Sequence, residues 1–460
     1  MDHSPSHDAP PGIRALPAAL LTPLLTRDFD VRAATYESLR AAHGPVAPID
    51  LLGVPCWFVL GYAEVLEVLR NDTGVWSKRL EDWRGYTQGT VPADWPLLPA
   101  FRAGGVPFAE GREHSELRAA WSAALRPFQD RSQGAARRLE ARVRRQADEL
   151  ISLLGERGAE GNADLVDEYA RPLMLMAVDL LAGFGEVGDE VMRDIRSLLD
   201  GGPQTAEASA RLLDLCGRVC ADRRRAPEED FPSRLIAAWP ECTDEQAATA
   251  VMHLVSMLGE LTTALICGTL LEVLYQETAD TTTGMIRETV NRAAMVHPPY
   301  ANLTFRFALA DTVLGGTVIA AGDPVMLSVA AAHTDPSFAG AHDPSSVFSS
   351  RAHLAWGAGA HQCPGGPLAT TLATIAVERL QERMAWLEPT LPPDRLPWRS
   401  SVLMRGLRSL PVRYGLRSPS PVPPSPERRS APAESGGAGS GRMLRRLVRI
   451  LRRDERRDER

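Results

Sequence analysis

His353-Leu354-Ala355-Trp356-Gly357-Ala358-Gly359-Ala360-His361-Gln362-Cys363-Pro364-Gly365 is the stretch from which the rest of the chain can be read. A cysteine stands in a loop of glycine, proline and small residues, just before a predicted helix over about Pro367–Met384. Free amides at a helix start and the helix dipole both favour thiolate over thiol. Gly357 and Gly359 let the backbone pass close to a flat ligand without a Cβ in the way. On the residues alone a buried structural cysteine is the plainer reading. A zinc site built on His361 and Cys363 lacks two further ligands.

Outside that loop, the 460 residues are 44% hydrophobic and 24% charged, which supplies a large core and excludes disordered, collagen-like and disulfide-framework classes. A formal net charge of −7 argues against a body that binds nucleic acid. Lys78 is the only lysine among 51 basic residues. The six cysteines are scattered, and Cys216 and Cys220, four apart in a helical context, read as buried thiols rather than a metal clip. The start, Met1-Asp2-His3-Ser4-Pro5, lacks the layout of a secretory signal. The most apolar stretch, Ala250 to Leu274, is interrupted by His253, Glu260 and Glu272, short of the roughly 20 residues a bilayer requires. A cytoplasmic protein is expected.

The pattern along the chain predicts a flexible leader over residues 1–26 and a main body over 27–416. Val46–Ile49 and Cys56–Leu60 read as two strands of a small sheet. Helical signals dominate from Glu110 to about Glu277, with amphipathic runs from Leu139 and over Ala206–Arg223. Thr243-Asp244 caps a long helix that runs to Gln276. Short strands follow around Leu303–Ala308 and Val313–Ile319, then a Gly322-Asp323-Pro324 turn. The class is mostly α with small β-sheets. Residues 417–441 form a Ser/Pro/Gly linker. The last segment, 442–460, holds nine arginines against four acids; on a helix, Met443, Leu444, Leu447, Val448, Ile450 and Leu451 share one face.

The Cys363 loop resembles the haem-binding loop of the cytochrome P450 family, F-G-x-G-x-H-x-C-x-G, with Trp356 in place of the Phe and every other fixed position matched. The resemblance implies the P450 fold, with haem b between a long distal helix and the proximal cysteine loop, and Cys363 as the axial ligand of the haem iron. Gly357 and Trp356 belong to the same loop. It further implies that His114 and Arg118, four apart in Glu113-His114-Ser115-Glu116-Leu117-Arg118, bind the haem propionates, together with Arg306 and His361. His353 is expected to help, as in actinobacterial members. Leu258-Gly259-Glu260-Leu261-Thr262-Thr263 resembles the oxygen-activation motif A-G-x-[D/E]-T-T, where the glycine allows a local widening of the helix and an acid–alcohol pair passes protons. Thr262 falls on the alcohol position; Leu261 replaces the acid, and Glu260 lies one residue early, about 100° away around the helix.

A second departure lies in Val290–Pro299, where the family's E-x-x-R ion pair becomes Arg292 and Met295; Glu288 is at a helical spacing suited to Arg292. The pattern resembles an actinobacterial subgroup that lacks E-x-x-R. The expected activity is that of a haem-thiolate monooxygenase acting on a small apolar substrate, with electrons from NAD(P)H through separate ferredoxin and reductase chains. Thr87–Phe101, Leu254–Thr262 and Tyr300–Thr304 are the candidate substrate contacts. The alternative is a haem-binding, weakly or non-catalytic partner protein on the same fold. The basic tail is suited to an anionic membrane surface, placing the protein at its inner face, or to an acidic partner protein.

Overall fold

A computed structural model describes residues 12–29, 32–102, 104–185, 190–191, 193–194, 205–275, 285–339 and 352–417. The chain is mostly helical with small sheets, as expected. Its described residues divide into two compact units, the first within Met1–Ser122, Arg292–Gly366 and Arg399–Arg405 and the second within Ala123–Asn291, Pro367–Trp398 and Gly406–Arg460. The linker beyond Arg417 and the basic segment 442–460 lie outside the described residues.

The first unit is built on a sheet of six strands: β1 (Thr22–Leu24), β2 (Val46–Leu51), β3 (Val54–Val59), β4 (Trp76–Ser77), β6 (Asn302–Ala308) and β9 (Pro324–Ser328), in the order β1-β2-β3-β9-β6-β4. β2 and β3 pair antiparallel through a two-residue turn in which Leu52 and Gly53 both have positive φ, the geometry whose twist matches a hairpin. The unbroken apolar run Cys56-Trp57-Phe58-Val59 marks β3 as a central strand buried on both faces. β1 pairs parallel with β2, so the end of the expected leader is a sheet edge. Ile13 is also fixed: it is buried, and its N–H donates to Asp323 Oδ2 at 2.8 Å. Asp323, in the expected Gly-Asp-Pro turn, also accepts from Trp57 Nε1 and pairs with Arg84.

The stretch 313–319 is a hairpin of β7 (Thr312–Leu314) and β8 (Thr317–Ile319), turned at Gly315-Gly316. Trp83, Trp95, Phe101, Phe305 and Phe307 form an aromatic core, with Phe101 and Phe305 centroids 4.7 Å apart. Trp95, Leu98 and Phe101, within the stretch expected to meet substrate, are buried in this core.

In the second unit the helix Asp244–Tyr275 packs against Arg171–Ala182 and Thr205–Arg225. Its start is a capping box: Thr243 Oγ1 accepts from Gln246 N, and Gln246 Oε1 accepts from Thr243 N. Its most apolar window is 83% buried inside the protein, which makes it a core helix. Cys216 and Cys220 are buried thiols, each pushed up to about 12 by that burial. One strand interrupts the expected helical region. β5 (Glu160–Asp164) pairs with β11 (Pro411–Leu416), which pairs with β10 (Met384–Pro389). A π turn over Val166–Ala170 then leads into the helix Arg171–Ala182.

Candidate functional site

The first unit carries the cysteine loop. Gly357 and Gly359 have φ of +70° and +66°. A Cβ on Gly359 would stand 2.5 Å from the Leu69 carbonyl oxygen, so only glycine passes there. The Cys363 N–H donates to the Trp356 carbonyl at 2.7 Å, and the Gly357 N–H to the Leu354 carbonyl at 2.8 Å. Gly366, the first residue of the helix Gly366–Arg383, lies against the Trp356 indole. Cys363 is exposed, whereas the other five cysteines are buried. Removal from water on its protein side pushes the thiol up. The backbone N–H groups of Gly365 and Gly366 and the Arg118 guanidinium pull it down without reversing that shift. The expected bias toward thiolate is therefore incomplete in the chain alone, and a bound metal ion would complete the deprotonation.

Beside the loop lies a cluster of titratable side chains. His114 and Arg118 stand on one face of the helix Gly111–Gln129, as their spacing predicts. The His114 and His361 rings are 4.0 Å apart between centroids. Buried Arg306 donates from Nη1 to the Thr304 carbonyl at 2.9 Å. Burial lowers Arg306 to about 10 and His361 to about 4; for His361 the neighbouring Lys78, His114 and Arg306 add repulsion that Glu110 opposes.

Two members of this group were not foreseen. Lys78 is buried, with Nζ 5.4 Å from the Phe108 ring centroid, and its N–H donates to Glu110 Oε1 at 2.8 Å. Glu110 Oε2 in turn lies 3.6 Å from His361 Nε2. The one available signal was that Lys78 is the only lysine in the chain. His114 Nε2 is buried and has no hydrogen-bond partner among the described residues. His353 is placed differently: its ring contact is with His333, at 6.2 Å and edge-on.

The second unit carries the long-helix set. Thr262 is buried, and its Oγ1 has no hydrogen-bond partner among the described residues. Thr263 Oγ1 donates to the Gly259 carbonyl at 2.9 Å. The helix is regular α throughout, so the expected widening at Gly259 is not seen. A Cβ there would lie 3.6 Å from Val178 Cγ2, an ordinary van der Waals contact, so packing on the helix Arg171–Ala182 does not itself require the glycine. Glu260 is tied elsewhere: its carboxylate is 3.7 Å from Arg171 Nη2, and Arg171 also pairs with Asp167 in the π turn. All three side chains are at most 4% exposed. Residues 260 and 262 are about 200° apart around a helix, so Glu260 faces away from Thr262.

Residues 285–410 match the family model described as Cytochrome P450. Cytochrome P450 107B1 of Saccharopolyspora erythraea is 30% identical over 406 residues, covering 82% of this chain and 94% of the relative. The chain belongs to the cytochrome P450 family. The cytochrome P450 monooxygenase PikC of Streptomyces venezuelae is also 30% identical, over 88% of this chain and 96% of its own length. Among solved structures, the P450 CYP154C4 from Streptomyces sp. W2061 superposes with a TM-score of 0.75 at 25% identity, covering 85% of this chain and 97% of that one.

The chain is thus an oxidoreductase of the P450 monooxygenase type, and its cofactor is haem b. The residues present fit that group. An exposed cysteine whose sulfur faces two amide donors suits an iron ligand, and buried basic side chains with an orphaned imidazole nitrogen suit carboxylates.

Proposed function

We propose that this P450 inserts one oxygen atom of O2 into a small apolar organic substrate, with Cys363 as the axial ligand of the haem iron. The observation that carries this reading is the single exposed cysteine, set between glycines beside a cationic group. His114, Arg118, Arg306 and His361 would hold the haem carboxylates, with Lys78 as a further cation; Trp356 and Gly357 shape the loop. His353, set against His333, would act through the loop rather than on a carboxylate. Bound haem supplies the redox chemistry, and the protein supplies ligand, orientation and proton movement. Thr262 holds a proton on its hydroxyl and passes it on, while Gly259 keeps the helix surface beside it free of a side chain. Glu260, bound into the Asp167–Arg171 pair, holds the helix in place. Separate ferredoxin and reductase chains deliver electrons from NAD(P)H, and the protein works in the cytoplasm.

The engagement of Glu260 by Arg171 favours a second reading, a haem protein whose turnover is slow and poorly coupled. Incubation with NAD(P)H, a ferredoxin, its reductase, isotopically labelled O2 and a panel of apolar compounds separates the two. One labelled oxygen per product molecule is the expected result. Oxidation of NAD(P)H that yields peroxide and no labelled product favours the second reading.

A further inference from the structure

His333 ends the short helix Val329–His333 and is buried. Its ring touches two distant backbone groups. Nδ1 lies 2.8 Å from the Met295 carbonyl oxygen, and the Leu354 N–H donates to Nε2 at 2.8 Å. A carbonyl can only accept and an amide N–H can only donate, so the proton must be on Nδ1 and the ring must be neutral. Met295 sits in the last turn of the helix Ile286–Val296, where carbonyls have no partner within the helix. Leu354 begins the cysteine loop. From it a ladder runs onward: the Gly357 N–H reaches the Leu354 carbonyl, and the Cys363 N–H reaches the Trp356 carbonyl.

We propose that His333 is a positioning residue whose two hydrogen bonds fix the Cys363 loop to the end of the helix Ile286–Val296. Met295, whose carbonyl it meets, is one of the two positions, with Arg292, at which the sequence departs from the family's ion-pair pattern. An imidazole suits the task because its two nitrogens face opposite ways and bridge two backbone groups at once. Burial pushes His333 down to about 3, with His353 adding to the shift and the Met295 carbonyl opposing it, so the neutral form persists across the working pH range. The effect on Cys363 rests on the haem-thiolate reading above; the tie between Met295 and Leu354 does not.

The test uses full-length His333→Phe and His333→Asn. Phenylalanine keeps the ring beside Phe338 and makes neither bond. Asparagine keeps a donor for Met295 and falls short of Leu354. Amide hydrogen exchange at Leu354 reports the tie directly. The carbon monoxide difference spectrum reports whether the cysteine still ligates as thiolate, and the thermal midpoint measured beside it separates that change from a general loss of packing. Leu354 should exchange about tenfold faster in both variants, the size of effect expected for one hydrogen bond. His333→Phe should also convert a large share of the red-shifted Soret band to a shorter-wavelength form. Leu354 exchange within about twofold of wild type, together with an unchanged band, overturns the proposal. If His333→Phe does not fold, Leu354 exchange in His333→Asn decides alone. If the wild type itself shows no red-shifted band, the haem-thiolate reading fails, and the exchange comparison still decides the tie.

Discussion

Arg171→Met would test the buried charge group that takes Glu260. Arg171 lies between Asp167 and Glu260, and the three side chains are 4%, 2% and 3% exposed. The substitution keeps much of the side-chain bulk and removes the cation the two carboxylates share. Breaking a buried pair from one side costs ~3–5 kcal/mol, because a charge is left in a medium that solvates it poorly. An unfolding entropy of about 2 cal/mol/K per residue, over this length, comes to ~1 kcal/mol/K, so the midpoint should fall by about 3–5 °C. The triple variant Asp167→Leu/Arg171→Met/Glu260→Met removes all three charges together and should recover most of that loss, since apolar replacement of a whole buried network is often neutral. Thermal unfolding by circular dichroism, with haem content measured in parallel, reads both. A single-variant midpoint within about 1 °C of wild type, or a triple variant no better than the single, refutes the reasoning.

Other expectations concern the loop, the cations and pH. Gly359→Ala places a Cβ against the Leu69 carbonyl in a left-handed conformation that alone costs ~1–2 kcal/mol, so haem content and the thermal midpoint should both drop; wild-type values for both would count against the loop's tight passage. Lys78→Met should speed haem transfer to a haem-free acceptor protein by about tenfold by removing one charge-assisted contact, and an unchanged rate would remove Lys78 from the group that holds the carboxylates. His253, buried on the long helix with Nδ1 unpartnered among the described residues, is lowered by burial to about 4. The unfolded chain takes up that proton near pH 6.5 and the folded chain does not, so stability falls as pH drops from about 6.5 towards 4. His253→Leu should flatten that part of the urea-midpoint profile, and an identical slope in the two proteins would contradict it.

Much of this was open to reading because the signals are local. The spacing around Cys363 spans a dozen residues, and Thr243-Asp244 announces a helix start within one turn. What stayed hidden depends on residues that only the tertiary fold brings together. β5 sits in a stretch of helical pattern and becomes a strand because β11, some 250 residues later, pairs with it. The segment around Trp95, within a stretch read as a candidate substrate contact, packs against Trp83 in an aromatic core, and no periodicity in the sequence separates a buried aromatic from a ligand contact. Glu260 could be seen to be one residue out of place, but Arg171 and Asp167, about 90 residues upstream, give no local hint that they receive it. His333 is the same case, a lone histidine whose two partners lie 38 and 21 residues away.

The central claim is that Cys363 ligates haem iron as a thiolate. The most direct measurement is a reduced, carbon monoxide difference spectrum of the full-length protein beside Cys363→Ala. A red-shifted Soret band in the wild type that disappears in the variant is the predicted result. A wild type without that band despite haem-supplemented expression, or a variant that keeps it, would contradict the claim.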